Sequence, residues 1–166
     1  VQSITMSYAL EIAQQRDYTN NPLSYIAHYY NLNGKATYNN FYAKLGYEVL
    51  SGGPLGKGEQ FWTPLASHHA MNGTADVFRA IPLEGLEDFN LGAGITLWAV
   101  DFSADYHHFS SEYGNTVYGQ EIDLGAKAHF DKYYTLSVEY AKFKGRTVNG
   151  FSDVDQFWLS GRAKFS

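Results

Sequence analysis

Apolar and polar residues alternate with a period of two in run after run of this chain, and that pattern rules out most folds at once. A period of two puts successive side chains on opposite faces of an extended strand, whereas a helix returns to the same face only every three to four residues. In residues 3–15, Ile4, Met6, Tyr8, Leu10 and Ile12 share one face and Thr5, Ser7, Ala9, Glu11 and Ala13 the other. Residues 24–32 form a second run of ambiguous facing. In 37–50, Phe41, Ala43, Leu45, Tyr47 and Val49 oppose Tyr42, Lys44, Gly46 and Glu48. In 86–97, Phe89, Leu91, Ala93, Ile95 and Leu97 oppose Asp88, Asn90, Gly92, Gly94 and Thr96. In 99–109, Val100, Phe102, Ala104 and Tyr106 oppose Asp101, Ser103, Asp105 and His107. In 116–130, Tyr118, Ile122, Leu124, Ala126, Ala128 and Phe130 oppose Glu121, Asp123, Gly125, Lys127 and His129. In 133–144, Tyr134, Leu136, Val138 and Tyr140 oppose Thr135, Ser137 and Glu139; in 154–165, Phe157, Leu159, Gly161, Ala163 and Phe165 oppose Gln156, Trp158, Ser160, Arg162 and Lys164.

These eight strands are long enough to cross a bilayer when tilted. Their connections alternate in length: residues 15–23 are longer, 31–36 short, 51–85 very long, 96–99 tight, 110–115 medium, 131–132 tight and 145–153 medium. Long loops at one end and short turns at the other suit an antiparallel transmembrane β-barrel with extracellular loops and periplasmic turns. The 166 residues read as one barrel domain, 1–166, and the strand-like start at Val1 reads as a mature or trimmed chain.

Alternation alone does not say which face is the core, since a soluble ligand-binding barrel turns its apolar face inward and a membrane barrel turns it outward. The apolar face is almost free of charge through the strand middles, as hydrocarbon requires. Aromatics gather toward both strand ends: Trp98, Phe130, Tyr133, Tyr134 and Phe165 at one, and Tyr106, Phe109, Tyr113, Tyr118 and Tyr140 at the other. Amphipathic rings favour the two membrane interfaces. With 17% aromatic residues, 16 glycines and only 17% charged residues, the composition fits the same reading. The absence of cysteine excludes disulfides and thiolate sites. A net charge of −5 and the lack of a basic run exclude a nucleic-acid partner. No apolar run is long enough for a transmembrane helix.

The loop motifs point to a family. Residues 61–78, FWTPLASHHAMNGTADVF, resemble the TPLA and NG-x-AD loop of the alginate-export family of bacterial outer-membrane proteins. GLED at 85–88, YHHFSSEYGNTVYGQEIDL at 106–124, and YALEIAQQRDY at 8–18 with Asn21 and Pro22 resemble further elements in the same order. The resemblance covers most of the chain and corresponds to the C-terminal portion of that family's larger barrels. It implies a porin-like channel that passes or exports a polar or carbohydrate solute across the outer membrane. The partners it implies are the lipid bilayer, lipopolysaccharide and the barrel-assembly machinery.

The face expected to line the lumen carries Glu11, Lys44, Glu48, Asp88, Asp101, Asp105, His107, Glu121, Asp123, Lys127, His129, Glu139, Arg162 and Lys164, with His28 placed beside them. Anion selectivity comes from rings of arginine and lysine, and this face leans acidic instead. Glu121 and Asp123, two apart, are expected to pair with Lys127, Arg162 or Lys164. His107 and His108 fall on opposite faces and cannot share a metal. In the long loop, Trp62, His68, His69, Asn72 and Asp76 are candidates for a gate or a ligand contact, with Thr63-Pro64 opening a short helix and Asn72-Gly73 ending it. Such a loop folds inward in a large barrel and covers the mouth of a small one. No nucleophile-elbow, phosphate-loop or dinucleotide motif occurs, so the chain is read as a non-enzyme without catalytic residues, metal or cofactor. Two alternatives stand beside the channel: a closed eight-stranded outer-membrane barrel with a structural or adhesion role, and a soluble ligand-binding β-barrel.

Overall fold

A computed structural model describes residues 3–20, 22, 24–54, 57, 59–64 and 72–165. Eight strands form one sheet: β1 (Thr5–Arg16), β2 (Ile26–Tyr38), β3 (Phe41–Leu50), β4 (Leu86–Leu97), β5 (Val100–Ser110), β6 (Val117–Phe130), β7 (Tyr134–Gly145) and β8 (Val154–Ala163). Each strand pairs antiparallel with the next, in sequence order. Among the described residues β8 forms no ladder with β1, so the sheet is open. Among the described residues one short helical turn, Thr147–Asn149, interrupts the strands.

The turns explain the up-and-down order. Asn39-Asn40 and Trp98-Ala99 are two-residue hairpin connections, with Asn39 and Trp98 at positive φ (53° and 55°). Tight hairpins need left-handed backbone because its twist matches that of the flanking strands. Asn39 tolerates this well; Trp98 does so at a cost. Asp131 (φ 63°) opens the third short turn. All three short turns lie at one end, and the longer connections 17–25, 51–85, 111–116 and 146–153 lie at the other.

Register places the two residue classes on opposite faces throughout. Directly paired residues share a face, and pairing runs unbroken from Leu10 through Leu32, Tyr47 and Phe89 on one face. On the other face it runs from Glu11 through Asn31 and Glu48 to Asp88. The apolar face is the uncovered one. Tyr8 near one edge is 89% exposed, Leu91 in the middle 46% and Leu159 near the other edge 65%. A water-soluble sheet buries its apolar face and leaves the polar one to solvent; here the loop between β3 and β4 packs on the polar face instead.

Three expectations need correction. Residues 31–36 are not a connection but part of β2, because Asn33 and Gly34 pair with β1 and β3 on either side. Phe109 and Tyr118 do not belong to an aromatic girdle. A register shift at Phe109/Ser110 lets Tyr118 turn toward the loop, and both rings are buried there. His28 pairs with Gln14, in the same alternation as Tyr30, and so stands on the apolar side of the sheet.

Candidate functional site

The loop lies across the polar face because its neck and its apolar side chains leave it little choice. At the neck the chain enters through Gly52 and leaves through Gly85 (φ 77°), and a Cβ on Gly52 would strike the backbone of Glu84 and Gly85. Only glycine allows two backbones so close. Gly53 N–H donates to Leu83 O (3.0 Å), and the Tyr118 hydroxyl donates to Gly85 O (3.0 Å). Beyond the neck, Phe78 inserts among Phe109, Tyr118, Phe143 and Phe151, with ring centroids 4.6, 5.8, 5.8 and 5.5 Å away. With Leu50, Ala75, Ile81 and Leu86 these rings form the apolar core of the described chain. The core therefore sits at the long-loop end of the polar face.

Deeper along that face the contacts turn polar. Asn72 Nδ2 donates to Glu48 Oε2 (2.6 Å), Thr74 N–H to Asp123 Oδ2 (3.0 Å) and Ala75 N–H to Glu121 Oε1 (2.7 Å). Gly73, between them, has φ 80°, and a Cβ there would come within 2.5 Å of Glu121 Oε1. A glycine lets the backbone settle directly onto the carboxylates. Hydrogen bonds to charged acceptors contribute about 1.5–3 kcal/mol each, more than neutral ones. Glu121 and Asp123 thus hold the loop; among the described residues neither pairs with Lys127, Arg162 or Lys164, as the sequence had suggested.

Around this clamp the polar face forms a connected network. Tyr29 hydroxyl donates to Glu48 (2.7 Å) and lies 3.4 Å from Glu11. Asn31 donates to Tyr29, and Asn33 to Asn31 (2.6 Å). His107 Nδ1 meets Asp88 at 2.8 Å, while its Nε2 is 3.8 Å from Asp123. His108 faces the opposite way, paired with Phe89 and Gln120. Lys44 would face a like charge in the directly paired Lys35. It reaches Asp105 instead (3.0 Å), and Lys35 lies over the Tyr42 ring at 4.1 Å. Toward the short turns, Asp101 accepts from Thr96 and pairs with His129 (3.0 Å).

The polar-face candidates Glu11, Lys44, Glu48, Asp88, Asp101, Asp105, His107, Glu121, Asp123, Lys127, His129, Glu139 and Arg162 all share one face, and Lys164 continues the same alternation beyond β8. They fall into two groups along the strands. Glu48, Asp88, Asp105, His107 and Asp123 gather under the loop, whereas Lys127, His129 and Arg162 line a separate cavity with Ser137 and Ser160 near the short turns. Of the loop candidates, Asn72 is a clamp residue, and Asp76 pairs with Arg79 (2.9 Å). Trp62 is held at its backbone by Gln15 of β1 (N–H to Oε1, 2.8 Å). His68 and His69, and the helix expected from Thr63-Pro64, fall outside the described residues. Sequence reasoning missed Asn31 and Asn33, whose even spacing was the available signal, and placed Asn90 on the polar face without counting it among the lining residues. It also missed the backbone donors of Thr74 and Ala75, which no side-chain pattern reveals.

Comparison of the chain with protein-family models and with curated proteins finds no match to either.

Proposed function

We propose that this chain forms the wall of a bacterial outer-membrane β-barrel channel and that its 51–85 loop narrows the passage. The inverted sheet carries this reading: large apolar side chains stand uncovered on one face of all eight strands, and the charged network and the loop occupy the other. Such a face in water is a large exposed patch, while in lipid it is the ordinary exterior of a barrel. Trp98, Phe130, Tyr134 and Phe165, all exposed near the short turns, fit one membrane interface. The free edges of β1 and β8 then pair with each other or with additional strands, because unpaired backbone groups are not tolerated in hydrocarbon. Resemblance of the loop and strand motifs to the alginate-export family supports passage of a polar or carbohydrate solute.

Leu91→Arg tests the placement. Leu91 is central on the apolar face, so a charge there costs about 2–4 kcal/mol in a bilayer. In water the same exposed change is worth within about 0.5 kcal/mol. A fall in folding stability in phospholipid vesicles supports the membrane wall; an unchanged protein, soluble without detergent, refutes it. The inward docking of Phe78 favours a second reading, a barrel whose mouth is closed by its own loop. It predicts a correctly inserted protein without steady conductance in planar bilayers.

A further inference from the structure

The apolar face does not end alike at its two rims. Toward the short turns it closes on Phe41, Leu97, Phe130 and Tyr134, and its strand residues there carry no charge. Toward the long loops it carries all its charge. Of the lysines and arginines in the strands, Lys35, Lys44, Lys127 and Arg162 stand on the polar face. Arg16, Lys142 and Lys144 stand on the apolar face, each at or near the long-loop end of its strand. In β7 the order is plain: Leu136, Val138, Tyr140, Lys142 and Lys144 follow one another on that face. Apolar residues, then an aromatic ring, then cations is the order in which a bilayer passes from hydrocarbon to headgroups. Lys142 is partly engaged, 3.5 Å from Asp155, which also accepts from the Tyr140 hydroxyl (2.6 Å). Register sets Lys144 beside Gln120 and, one strand further, His108, all three on the apolar face. Among the described residues no hydrogen bond or ion pair engages these three side chains. Glu87, the other strand carboxylate of this rim, lies three strands away on β4 and is held by the Tyr47 and Ser110 hydroxyls.

We propose that Lys144, Gln120 and His108, with Lys142 beside them, form an outward-facing site for the phosphate-bearing headgroup of a membrane lipid. Directly paired positions lie about 5 Å apart, so the row spans about 10 Å across β5, β6 and β7, enough to receive one phosphate group. Lys144 supplies the charge. The Gln120 amide and the His108 imidazole add N–H donors to phosphate oxygens, which are strong acceptors. The acyl chains run down the sheet over Ile122 and Leu124, which are 50% and 48% exposed and follow Gln120 on the same face. The occupant is a lipid rather than a dissolved anion because the cations rim an apolar belt, and a soluble anion leaves the side chains beneath it uncovered. The inference rests on the membrane-wall reading above and deepens it by assigning the headgroup chemistry at the long-loop end.

Lipid binding by the whole protein in neutral detergent micelles tests it, read by native mass spectrometry as retained adducts. Phosphatidic acid and diacylglycerol with the same acyl chains are the probes, since they differ only in the phosphate. A lysine beside an anionic headgroup is worth about five-fold in affinity, or about 1 kcal/mol. The double variant Lys142→Gln, Lys144→Gln should therefore hold phosphatidic acid about twenty-five-fold more weakly. Its hold on diacylglycerol should stay within about two-fold, which also verifies that the variant is folded. The inward pair Lys127→Gln, Arg162→Gln removes the same charge from the other face and should match the parent for both lipids. All four positions are exposed, so the substitutions leave the sheet intact. Equal retention of the two lipids by the parent, an equal loss of phosphatidic acid in the outward and inward variants, or full displacement of the lipid by an equal concentration of inorganic phosphate overturns the headgroup site and leaves the wall standing. A parent protein that is soluble without detergent and retains neither lipid overturns both.

Discussion

Replacing Phe78 with alanine should free the loop from the polar face without unfolding the sheet. Phe78 is 4% exposed and touches four aromatic rings contributed by β5, β6, β7 and the 146–153 connection. Truncating such a side chain costs about 3–5 kcal/mol, including the void left among rings that cannot close over it. At about 1.4 kcal/mol per decade, the docked state loses roughly two to three and a half decades of its equilibrium advantage. The ties from Asn72, Thr74 and Ala75 remain, but they hold a segment whose ordering costs about 1–2 kcal/mol for every residue fixed. Hydrogen exchange at the Thr74 and Ala75 amides reads the result directly, since both are donors only while the loop is docked. Their exchange should accelerate by about a hundred-fold or more, while ladder amides of β3 and β4 keep their protection. On the channel reading proposed above, conductance in planar bilayers should rise in the same variant. Thr74 and Ala75 exchanging at the parent rate would refute the anchoring role; equal acceleration of loop and ladder would show that Phe78 supports the whole sheet.

The other predictions concern single positions. Gly73→Ala meets both a left-handed φ and the Glu121 carboxylate, so it should weaken docking by about 1–3 kcal/mol, read as faster exchange at Thr74 and Ala75. Trp98→Asn relieves a left-handed tryptophan that is 95% exposed and should stabilise the hairpin by about 1 kcal/mol in denaturant titration, while reducing the protein's partition into vesicles. Asp123→Asn alone should raise loop exchange only a few-fold, because a neutral amide oxygen still accepts from Thr74, whereas Asp123→Leu should raise it by roughly ten- to a hundred-fold, as expected for loss of a charged acceptor worth about 1.5–3 kcal/mol.

Strand content was largely legible because the period-two pattern is imposed by covalent geometry and needs no knowledge of neighbours. Residues 86–97 read as a strand and are one, with Leu91 and Asp88 on the expected faces. The pattern failed where pairing, not propensity, decides. Asn33-Gly34 looks like a turn in isolation, but ladders on both sides hold it extended, and the chain reverses at Asn39-Asn40 instead. Tyr118 continues the apolar alternation in sequence; a one-residue irregularity beside Phe109 turns it toward the loop. The acidic face could be read residue by residue, yet the role of Glu121 and Asp123 could not. Their partners are backbone N–H groups of a distant loop, and backbone donors leave no mark on sequence.

The loop is also a record of the order in which this molecule can be put together. It is synthesised between β3 and β4, but its two backbone ties are to Glu121 and Asp123 on β6, 46 and 49 residues further on, and its anchor sits on Phe143 of β7. Until those later strands have joined the sheet, the Thr74 and Ala75 amides have no acceptors and Phe78 has no slot, and of the clamp only the Asn72 tie to Glu48 of β3 can form. Loop closures of that span are entropically expensive and come late in folding. The sheet must therefore extend to β7 before the loop can be fitted against it, so its polar face stays open through most of its construction and is covered only near the end.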